Sequence, residues 1–288
     1  MSSIETALEY GRYQPLLCLD DISSSKQRKL IYNLFYKLFD VVHADTKELK
    51  DEAHRIRYQV FCNEHDHYEN PESHPDGLES DPYDKRAEHA LLMYKPLDLA
   101  IGTVRVIRHD EGNWQKSFPL QGICDSHYLH DYTYVKNACE FSRLCISSER
   151  RLIMKKHMRA GPGGTPLDTK IHFYEKPFLN IVLALAPLGL IRGAFELAMK
   201  HEILNIFGVM EAVNISRLVQ TGLVYEEIGP EMEYHGKRVP FICNILETFD
   251  KSMNAYQDPW QIVTVEGKNH YRALEIYEKQ SSSCFRIN

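Results

Sequence analysis

The 288-residue sequence has no surplus of basic residues and no disulfide-type cysteine pattern. It carries 34 Lys and Arg against 40 Asp and Glu, a formal net charge of -6. This balance argues against a protein whose whole surface binds nucleic acid. The seven cysteines are an odd number and form no Cys-x-x-Cys pair. Several lie in apolar stretches, as Cys139 and Cys243 do. We therefore expect reduced, buried thiols in a cytoplasmic protein.

Long hydrophobic runs are also scarce. The N-terminus, Met1-Ser2-Ser3-Ile4-Glu5, has no basic segment followed by an apolar one, so we do not expect a signal peptide. The longest apolar stretch, residues 177–191, is shorter than the ~20 residues of a spanning helix and contains Asn180 and Pro187. We expect a buried helix there and little contact with a membrane.

The hydrophobic periodicity predicts two helices, then a run of strands, then alternating helices and strands. The predicted helices cover residues 26–44, 46–63, 175–201 and 213–221. The predicted strands cover residues 89–94, 100–107, 138–147, 203–210, 223–228 and 238–247. An acidic loop (residues 64–88) and a basic segment (residues 148–170) separate these elements, and the tail beyond residue 250 has little periodicity.

This order predicts an α/β or α+β fold with three layers. We expect an N-terminal helical extension over residues 1–45, one main domain over residues 46–250, and a C-terminal extension over residues 251–288. The order alone gives no sharp boundary between these parts.

Five local motifs follow one another between the second helix and the third strand. They are Arg57-x-x-Val60-Phe61, Glu79-x-Asp81-x-x-Asp84, His89-Ala90-Leu91-Leu92, Gly102-x-x-Arg105 and Glu140-Phe141-Ser142-Arg143. Each motif is weak alone, but their shared order and spacing are specific. The chain resembles the acyl-homoserine-lactone (autoinducer) synthases and the N-acyl amino acid synthases of the GNAT superfamily, and most nearly the exosortase-associated acyltransferases. The similarity covers roughly residues 50–150, with a looser match to about residue 247.

The resemblance implies a splayed mixed sheet with helices on both faces, and an acyl-pantetheine arm in the V-shaped gap. It implies an N-acyltransferase that moves a fatty acyl group from a thioester to a small amine, such as an amino acid or a homoserine-lactone-like acceptor. An amine that attacks a thioester must lose a proton, and a partly buried carboxylate suits that task. We expect Glu140 to be this base. Asp81 and Asp84 are the other candidate catalytic residues.

The remaining motif residues have binding or structural interpretations. Asp81 and Asp84, with Glu79, are candidates to bind the cationic acceptor. Arg57, Arg105 and Arg143 are expected to pair with these acids and fix the loop over the site, and Phe61 is a further substrate-binding candidate. Two plainer interpretations stay open: the acidic loop is solvated surface, or Glu140 and Arg143 each form a simple salt bridge.

The acyl donor is predicted from a missing motif and a basic cluster. The phosphate-binding Gln/Arg-x-x-Gly-x-Gly/Ala loop of coenzyme A-dependent relatives is absent from residues 147–152. A cluster of basic residues stands there instead, formed by Arg150, Arg151, Lys155, Lys156 and Arg159. Because acyl carrier proteins are acidic, this cluster favours a carrier-bound phosphopantetheine donor over coenzyme A, with no permanently bound cofactor or metal. A solvated basic loop is the plainer alternative.

The sequence leaves the product of the reaction open and allows rival functions. Tyr68 is the nearest aromatic where autoinducer synthases carry a tryptophan, and the chain is longer at both ends, so an N-acyl amino acid is at least as expected as a homoserine lactone. The main rival is a metal-dependent hydrolase that uses the ligand-type residues His65, His67, His74 and His89, although no His-Glu-x-x-His motif occurs. A Cys139 nucleophile and a silent binding module with the same fold are further alternatives.

Overall fold

The structure, a computed structural model, describes residues 25–65, 68–159 and 178–284. The helices are α1 (Ser25–Leu38), α2 (Lys47–Tyr58), α3 (His127–His130), α4 (Tyr132–Lys136), α5 (Ser148–Arg159), α6 (Leu179–Leu185), α7 (Pro187–Lys200), α8 (Ala212–Val219), α9 (Ile245–Ala255), α10 (Gln257–Thr264) and α11 (Lys268–Cys284). The strands are β1 (Phe39–His43), β2 (Ala87–Tyr94), β3 (Leu99–Arg108), β4 (Ala138–Ile146), β5 (Asn205–Met210), β6 (Tyr225–Glu227), β7 (Met232–Glu233) and β8 (Lys237–Asn244). A π-helical turn (Gln59–Glu64) continues α2.

One mixed sheet contains seven of these strands in the order β1-β2-β3-β4-β5-β8-β6, and β7 pairs with β8 beside it. The pairings are antiparallel except between β4 and β5, which run parallel. β4 and β5 pair only from Ala138 with Asn205 to Phe141 with Gly208. The only parallel pair described in the sheet is therefore also a short one, and it lies at the centre.

Helices cover both faces of the sheet. Side chains alternate between faces along a strand. In β2, Ala90 and Leu92 belong to the core beneath α7, whereas Leu91 packs with Ala53 and Ile56 of α2 on the other face. The predicted three-layer α/β architecture with a splayed central sheet is confirmed.

Glycines allow α7 to lie close to the sheet. A Cβ atom at Gly189 would approach the Leu92 side chain to 2.7 Å, and one at Gly193 would approach the Ala90 side chain to 2.6 Å. Because the two glycines are four residues apart, they lie on one helix face. This face packs against the start of the sheet.

The helix predicted over residues 26–44 ends earlier than its apolar stripe. α1 stops at Leu38, and Phe39–His43 form an edge strand against β2. The β-branched Val41 and Val42 favour a strand, and the exposed β2 edge supplies the backbone partners. That part of the prediction was wrong because pairing with a distant strand overrode local periodicity.

Two further helical predictions need correction. The helix predicted over residues 175–201 is two helices, α6 and α7, and Pro187 begins the second because proline suits a first helical turn. Its predicted start and the glycine-rich stretch at residues 161–164 lie outside the described residues. The tail beyond residue 250 is helical, in α9, α10 and α11, although its sequence shows little periodicity.

The segment Leu179–Lys200 is long and apolar enough to cross a membrane by composition. Most of that helical stretch is buried inside the protein, with Leu190, Ala194 and Ala198 fully covered. This burial is typical of a core helix, which agrees with the expectation from the sequence.

Candidate active site

The centre of the sheet opens where β4 and β5 part after Phe141 and Gly208. β4 also carries a bulge against β3, because the register shifts between the Thr103–Cys145 and Arg105–Ser142 pairs. Arg143 lies in this bulge with a left-handed φ of 51°. Bulges re-aim side chains and bend strands, and they are common beside active sites. Here the bulge and the splay together open a gap along β4.

Gly102 allows the bulged strand to pack closely. A Cβ atom there would lie 2.6 Å from the carbonyl oxygen of Cys145 and 2.9 Å from the Ile146 side chain. Any other residue would push β3 and β4 apart. Close packing of β3 against β4 at the start of the gap therefore explains the glycine of the Gly102-x-x-Arg105 motif.

The gap contains a cavity of about 1210 Å³ that runs along β4. Its lining has two chemically different parts. Polar and charged residues line one part, among them Glu140, Ser142, Arg105, Arg143, Tyr234 and Arg238. Apolar side chains of β3, α5, α6 and α7 line the other, among them Ile101, Met154, Ile181, Leu185, Leu188 and Ile191.

Glu140 lies at the polar part, where β4 and β5 are still paired. Its side chain is only 2% exposed, and its Oε2 accepts a hydrogen bond from the backbone N–H of Leu120 at 2.9 Å. Burial raises the pKa of Glu140 to about 7, against the opposing effects of the Leu120 N–H and of Arg105 and Arg143. A carboxylate with a pKa near neutrality suits proton transfer at the pH of the cell.

The motif arginines and the loop acids form one buried ion network. Arg57, fully buried, binds Glu79 through Nε at 2.5 Å and both oxygens of Asp84 through Nη1 and Nη2 at 2.7 and 3.0 Å. Arg105 binds Asp84 at 3.2 Å. Such bidentate guanidinium–carboxylate pairs are strong and geometrically specific. The network joins α2, the acidic loop and β3.

Arg143 ties the bulge to the same network. Its guanidinium contacts Glu79 at 3.0 Å and Glu69 at 2.8 Å, and Asp81 at 3.7 Å. The φ of Arg143 turns its side chain out of the ordinary strand alternation. The sequence motif Glu140-x-x-Arg143 predicted opposite faces for the two side chains, yet both line the cavity because of the bulge.

The acidic residues of the loop differ in how far internal partners already occupy their carboxylates. Burial would raise the pKa of Glu79, but Arg57 and Arg143 outweigh it and lower that pKa to about 2. The pKa of Asp84 is also well below its usual range, because its bonds to His89 and Arg57 outweigh its burial. Glu79 and Asp84 are thus permanently charged and committed to internal partners. Asp81 is 23% exposed and contacts Arg105 at 2.8 Å.

The structure therefore places the predicted site residues in two groups. Glu140, Arg105, Arg143 and Phe61 line the cavity, whereas Arg57, Glu79, Asp81 and Asp84 do not appear in its described lining. The expectation that Asp84 and Glu79 are available to a cationic substrate conflicts with this geometry, since arginines already bind their oxygens. The expected pairing of the three arginines with the acids agrees with it.

An aromatic stack that the sequence did not reveal closes one side of the cavity. Phe61 stacks on Tyr68 with ring centroids 4.7 Å apart, and Tyr68 stacks on His235 at 4.2 Å. Arg238 lies 5.6 Å above the Tyr68 ring. The stack joins the segment after α2 to the β7–β8 turn. Phe61 and Tyr68 stood out in the sequence, but no local pattern placed His235 beside them.

The basic cluster lies on α5, with unequal exposure. Arg150 bonds to Glu52 and to the carbonyl of Ala100 and is only 15% exposed, and its docking role stays a prediction. Arg151 and Lys156 are exposed and Lys155 is half-buried. The side chain of Arg159 lies outside the described part of the protein.

The metal alternative finds little support in the ligand chemistry. In the described residues, one group has the spacing of a metal site: His54, Asp84 and His89. Two guanidinium groups, of Arg57 and Arg105, already bind Asp84 Oδ1. Such neighbours repel a cation. His65 and His74 are not members of the group, and His67 lies outside the described residues.

A family model described as an acetyltransferase (GNAT) domain matches residues 56–157. Over these residues the chain is similar to a GNAT acetyltransferase domain. The match runs from α2 to α5 and includes the ion network, the β4 bulge and Glu140. The predicted resemblance to GNAT proteins is confirmed over these residues.

Several solved structures are similar in fold. TofI, in a ternary complex with an inhibitor and MTA, is 15% identical with a TM-score of 0.49 over 75% of this chain and 96% of its own. FeeM, an N-acyl amino acid synthase from uncultured soil microbes, is 10% identical with a TM-score of 0.46 over 75% and 96%. BjaI, a CoA-dependent acyl-homoserine lactone synthase with SAM and isopentyl-CoA, is 16% identical with a TM-score of 0.46 over 79% and 88%. A sequence search finds no match among curated proteins.

Proposed function

We propose that the protein is an N-acyltransferase that moves a fatty acyl group from a pantetheine thioester to a small primary amine. The observation that supports this best is the position of Glu140. A buried carboxylate with a pKa of about 7 lines a single cavity together with polar residues such as Ser142 and apolar residues such as Leu185. A general base, a polar acceptor and an acyl chain need these three kinds of group.

Glu140 serves as the general base in this proposal. The acceptor arrives as an ammonium and releases one proton to solvent water, which frees the lone pair that attacks the thioester carbonyl carbon. The C–N bond forms, Glu140 accepts the second amine proton, and the C–S bond of the tetrahedral intermediate then breaks. The proton held by Glu140 passes to the departing thiolate, so the carboxylate is regenerated.

The oxyanion of the tetrahedral intermediate needs hydrogen-bond donors. The edge of β4 beyond Phe141 faces the gap without a β5 partner in the described residues. We assign the backbone N–H groups of this edge to the oxyanion, because an unpaired strand edge presents N–H groups at fixed positions.

The acceptor amine is proposed to bind near Asp81. Glu79 and Asp84 are neutralised by buried arginines, whereas Asp81 is partly exposed and lies beside Arg105, a residue of the cavity lining. A partly exposed carboxylate at the rim can attract an ammonium group. Tyr234 and Arg238, also in the lining, suit a polar or carboxylate-bearing acceptor such as an amino acid.

The acyl chain is proposed to lie in the apolar part of the cavity. Leu185, Leu188 and Ile191 line it from α6 and α7, and Ile101 lines it from β3. Burying each methylene of an acyl chain contributes about 0.8 kcal/mol. A medium or long chain therefore gains most of its affinity here.

The donor is proposed to arrive on an acyl carrier protein that docks at α5. This helix exposes Arg151 and Lys156 together with Leu152 and Ile153, which are 51% and 43% exposed. Apolar side chains framed by positive charge suit an acidic partner with an apolar contact surface. We place this reaction in the cytoplasm, where the five described cysteines remain free thiols.

Mass spectrometry of lipid extracts tests the proposed function. The protein and its Glu140→Gln variant are expressed in a bacterial host, and the organic extracts are compared. We expect new N-acyl species with the wild-type protein that are absent with the variant. New species at equal levels in both would overturn the role of Glu140, and an unchanged extract from a host supplied with a panel of amines would overturn N-acyl transfer.

A further inference from the structure

The first turn of α5 faces the cavity mouth at the end of β4. Ile146, the last residue of β4, lines the cavity, as do Arg151 in α5 and His65 beside it. Six residues of strand separate Glu140 from Ile146, a distance of roughly 20 Å. An extended arm with its carbonyl at Glu140 that follows β4 therefore ends near the start of α5.

A helix N-terminus in that position is ordinarily an anion site. The first four backbone N–H groups of a helix lack partners within the helix, and the helix dipole adds partial positive charge. Phosphate and diphosphate groups of nucleotides bind at such termini. The four groups at the start of α5 are the N–H groups of Ser147, Ser148, Glu149 and Arg150.

The chain itself fills this terminus. Glu64, from the π-helical turn, accepts the N–H of Ser148 at 2.7 Å and the N–H of Glu149 at 3.1 Å. Its Oε1 also accepts the hydroxyl of Ser147 at 2.7 Å. The Ser147 hydroxyl accepts the N–H of Arg150 at 3.2 Å, and the N–H of Ser147 itself donates to the carbonyl of Ile101 at 2.9 Å. All four N–H groups are therefore occupied.

The charge state of Glu64 agrees with this geometry. Its burial would raise its pKa, but the bonds from the Ser147 hydroxyl and from the backbone of Ser148 and Glu149 outweigh that effect and lower the pKa. A permanent carboxylate thus occupies the place of an incoming phosphate. Arg150, a basic residue of the same turn, is directed to Glu52 and Ala100.

We propose that Glu64 is a specificity-determining residue that closes the α5 N-terminus to the diphosphate of coenzyme A. The cleft then selects a pantetheine arm carried by a protein, whose single phosphodiester requires only the side of the mouth formed by Arg151 and His65. This inference rests on the proposed function, since it concerns the donor of the same acyl transfer.

Binding measurements on the full chain test the inference without any acceptor or turnover. The probes are a long-chain S-acyl pantetheine, which has no phosphate, and the acyl-CoA with the same acyl chain. For the wild-type protein we expect the two dissociation constants to agree within about threefold, because the nucleotide part of acyl-CoA adds no binding affinity. Glu64→Ala empties the helix terminus, and Glu64→Gln removes the charge but keeps the shape.

Both variants are expected to bind acyl-CoA about tenfold more tightly than the wild type while S-acyl pantetheine binding is unchanged. Glu149→Gln is the matched control, since it removes an exposed charge from the same helix turn and leaves the Glu64 contacts in place. Thermal unfolding of each variant checks that the protein is folded. If Glu64→Ala does not fold, the comparison is made with Glu64→Gln alone.

The outcomes separate the two proposals. Tight wild-type binding of S-acyl pantetheine with no gain for acyl-CoA in either Glu64 variant overturns the role of Glu64. Wild-type binding of acyl-CoA far tighter than that of S-acyl pantetheine also overturns it. Failure of the wild-type protein to bind either thioester instead overturns the proposed acyl transfer.

Discussion

At the scale of single residues, the two buried carboxyl groups of Glu140 and Glu79 have pKa values that are shifted in opposite directions. Glu140 lies in an apolar setting with a single backbone donor, and its pKa is raised to about 7. Glu79 is equally buried, but two arginines lower its pKa to about 2. A carboxyl group with a raised pKa is suited to proton transfer, whereas one with a lowered pKa is suited to a permanent ion pair.

Asp81 and Asp84 are expected to respond differently to removal of their charge. Asp84→Asn leaves Arg57 and Arg105 partly unpaired in the interior and should lower the free energy of unfolding by about 3–5 kcal/mol. Asp81→Asn should cost little stability and raise KM for the amine acceptor about tenfold through the loss of a charged contact. Chemical denaturation and steady-state kinetics check the pair, and an Asp84→Asn protein of unchanged stability would contradict this division.

The sequence predicted that the motif arginines and acids pair with one another. It did not predict which of the acids remain accessible to a substrate. Charged residues at motif positions imply pairing between arginines and acids, and the structure contains those pairs. Whether Asp81 or Asp84 stays accessible depends on burial by β2 and β3, and no local pattern encodes that. The position of Glu140 on a core strand was readable because Ala138, Cys139, Phe141, Leu144, Cys145 and Ile146 make the surrounding segment mostly apolar.

At the scale of elements, two irregularities shape the site. The bulge at Arg143 interrupts β4, and the π-helical turn Gln59–Glu64 follows directly on α2. Both insert a residue into a regular element, which redirects the side chains that follow. The helix prediction that ended near Asn63 gave the length correctly, but periodicity cannot distinguish a π turn from a regular one.

The acidic loop is expected to make stability depend on pH. On folding, the pKa of Glu79 falls from 4.5 to about 2, so its stabilising contribution is present above about pH 4.5 and is lost as the pH falls toward 2. Glu79→Gln should remove about 3–5 kcal/mol near neutral pH and flatten the acid limb of the stability curve. Glu72→Gln, an exposed acid of the same loop, is the control. Equal acid sensitivity of the wild type and Glu79→Gln in denaturation at several pH values would refute this contribution.

The apolar part of the cavity is expected to set acyl-chain length. Ile191→Phe adds volume where α7 faces the cavity, so the ring fills empty space and rates with long-chain donors should fall more than rates with short-chain donors. If Ile191 only packed in the core, overpacking would cost about 1–3 kcal/mol and leave the chain-length preference unchanged. Competition between donors of different length, with thermal unfolding in parallel, distinguishes the two.

At the scale of the whole molecule, a chain of net charge -6 carries a basic patch on α5 beside the cavity mouth. The C-terminal helices are tied to the rest of the protein, as Tyr36 donates to the Ile262 carbonyl at 3.1 Å and Asn269 donates to Glu196 at 3.0 Å. Local periodicity missed these helices because long-range packing stabilises them. The division into residues 1–45, 46–250 and 251–288 stays a prediction.

Charge reversal on α5 is expected to impair use of a carrier-bound donor. Arg151→Glu combined with Lys156→Glu should raise KM for an acyl carrier protein at low salt, with little effect on an S-acyl pantetheine donor, because long-range attraction to an acidic partner is lost. Lys251→Glu, an exposed site on α9, is the control. An unchanged KM, or an equal loss with the small donor, would show that α5 is not the docking surface.

The central claim is that Glu140 is the base of an acyl transfer, and a pH–rate profile of purified protein tests it most directly. The wild-type rate of transfer from an acyl thioester to the amine is expected to rise as Glu140 loses its proton, with an inflection at about pH 7. Glu140→Gln should retain its hydrogen bond to the Leu120 N–H, lose about 10²–10⁴-fold in rate, and lack that inflection. A variant that keeps the wild-type rate and profile would contradict the account and leave Glu140 with a structural role.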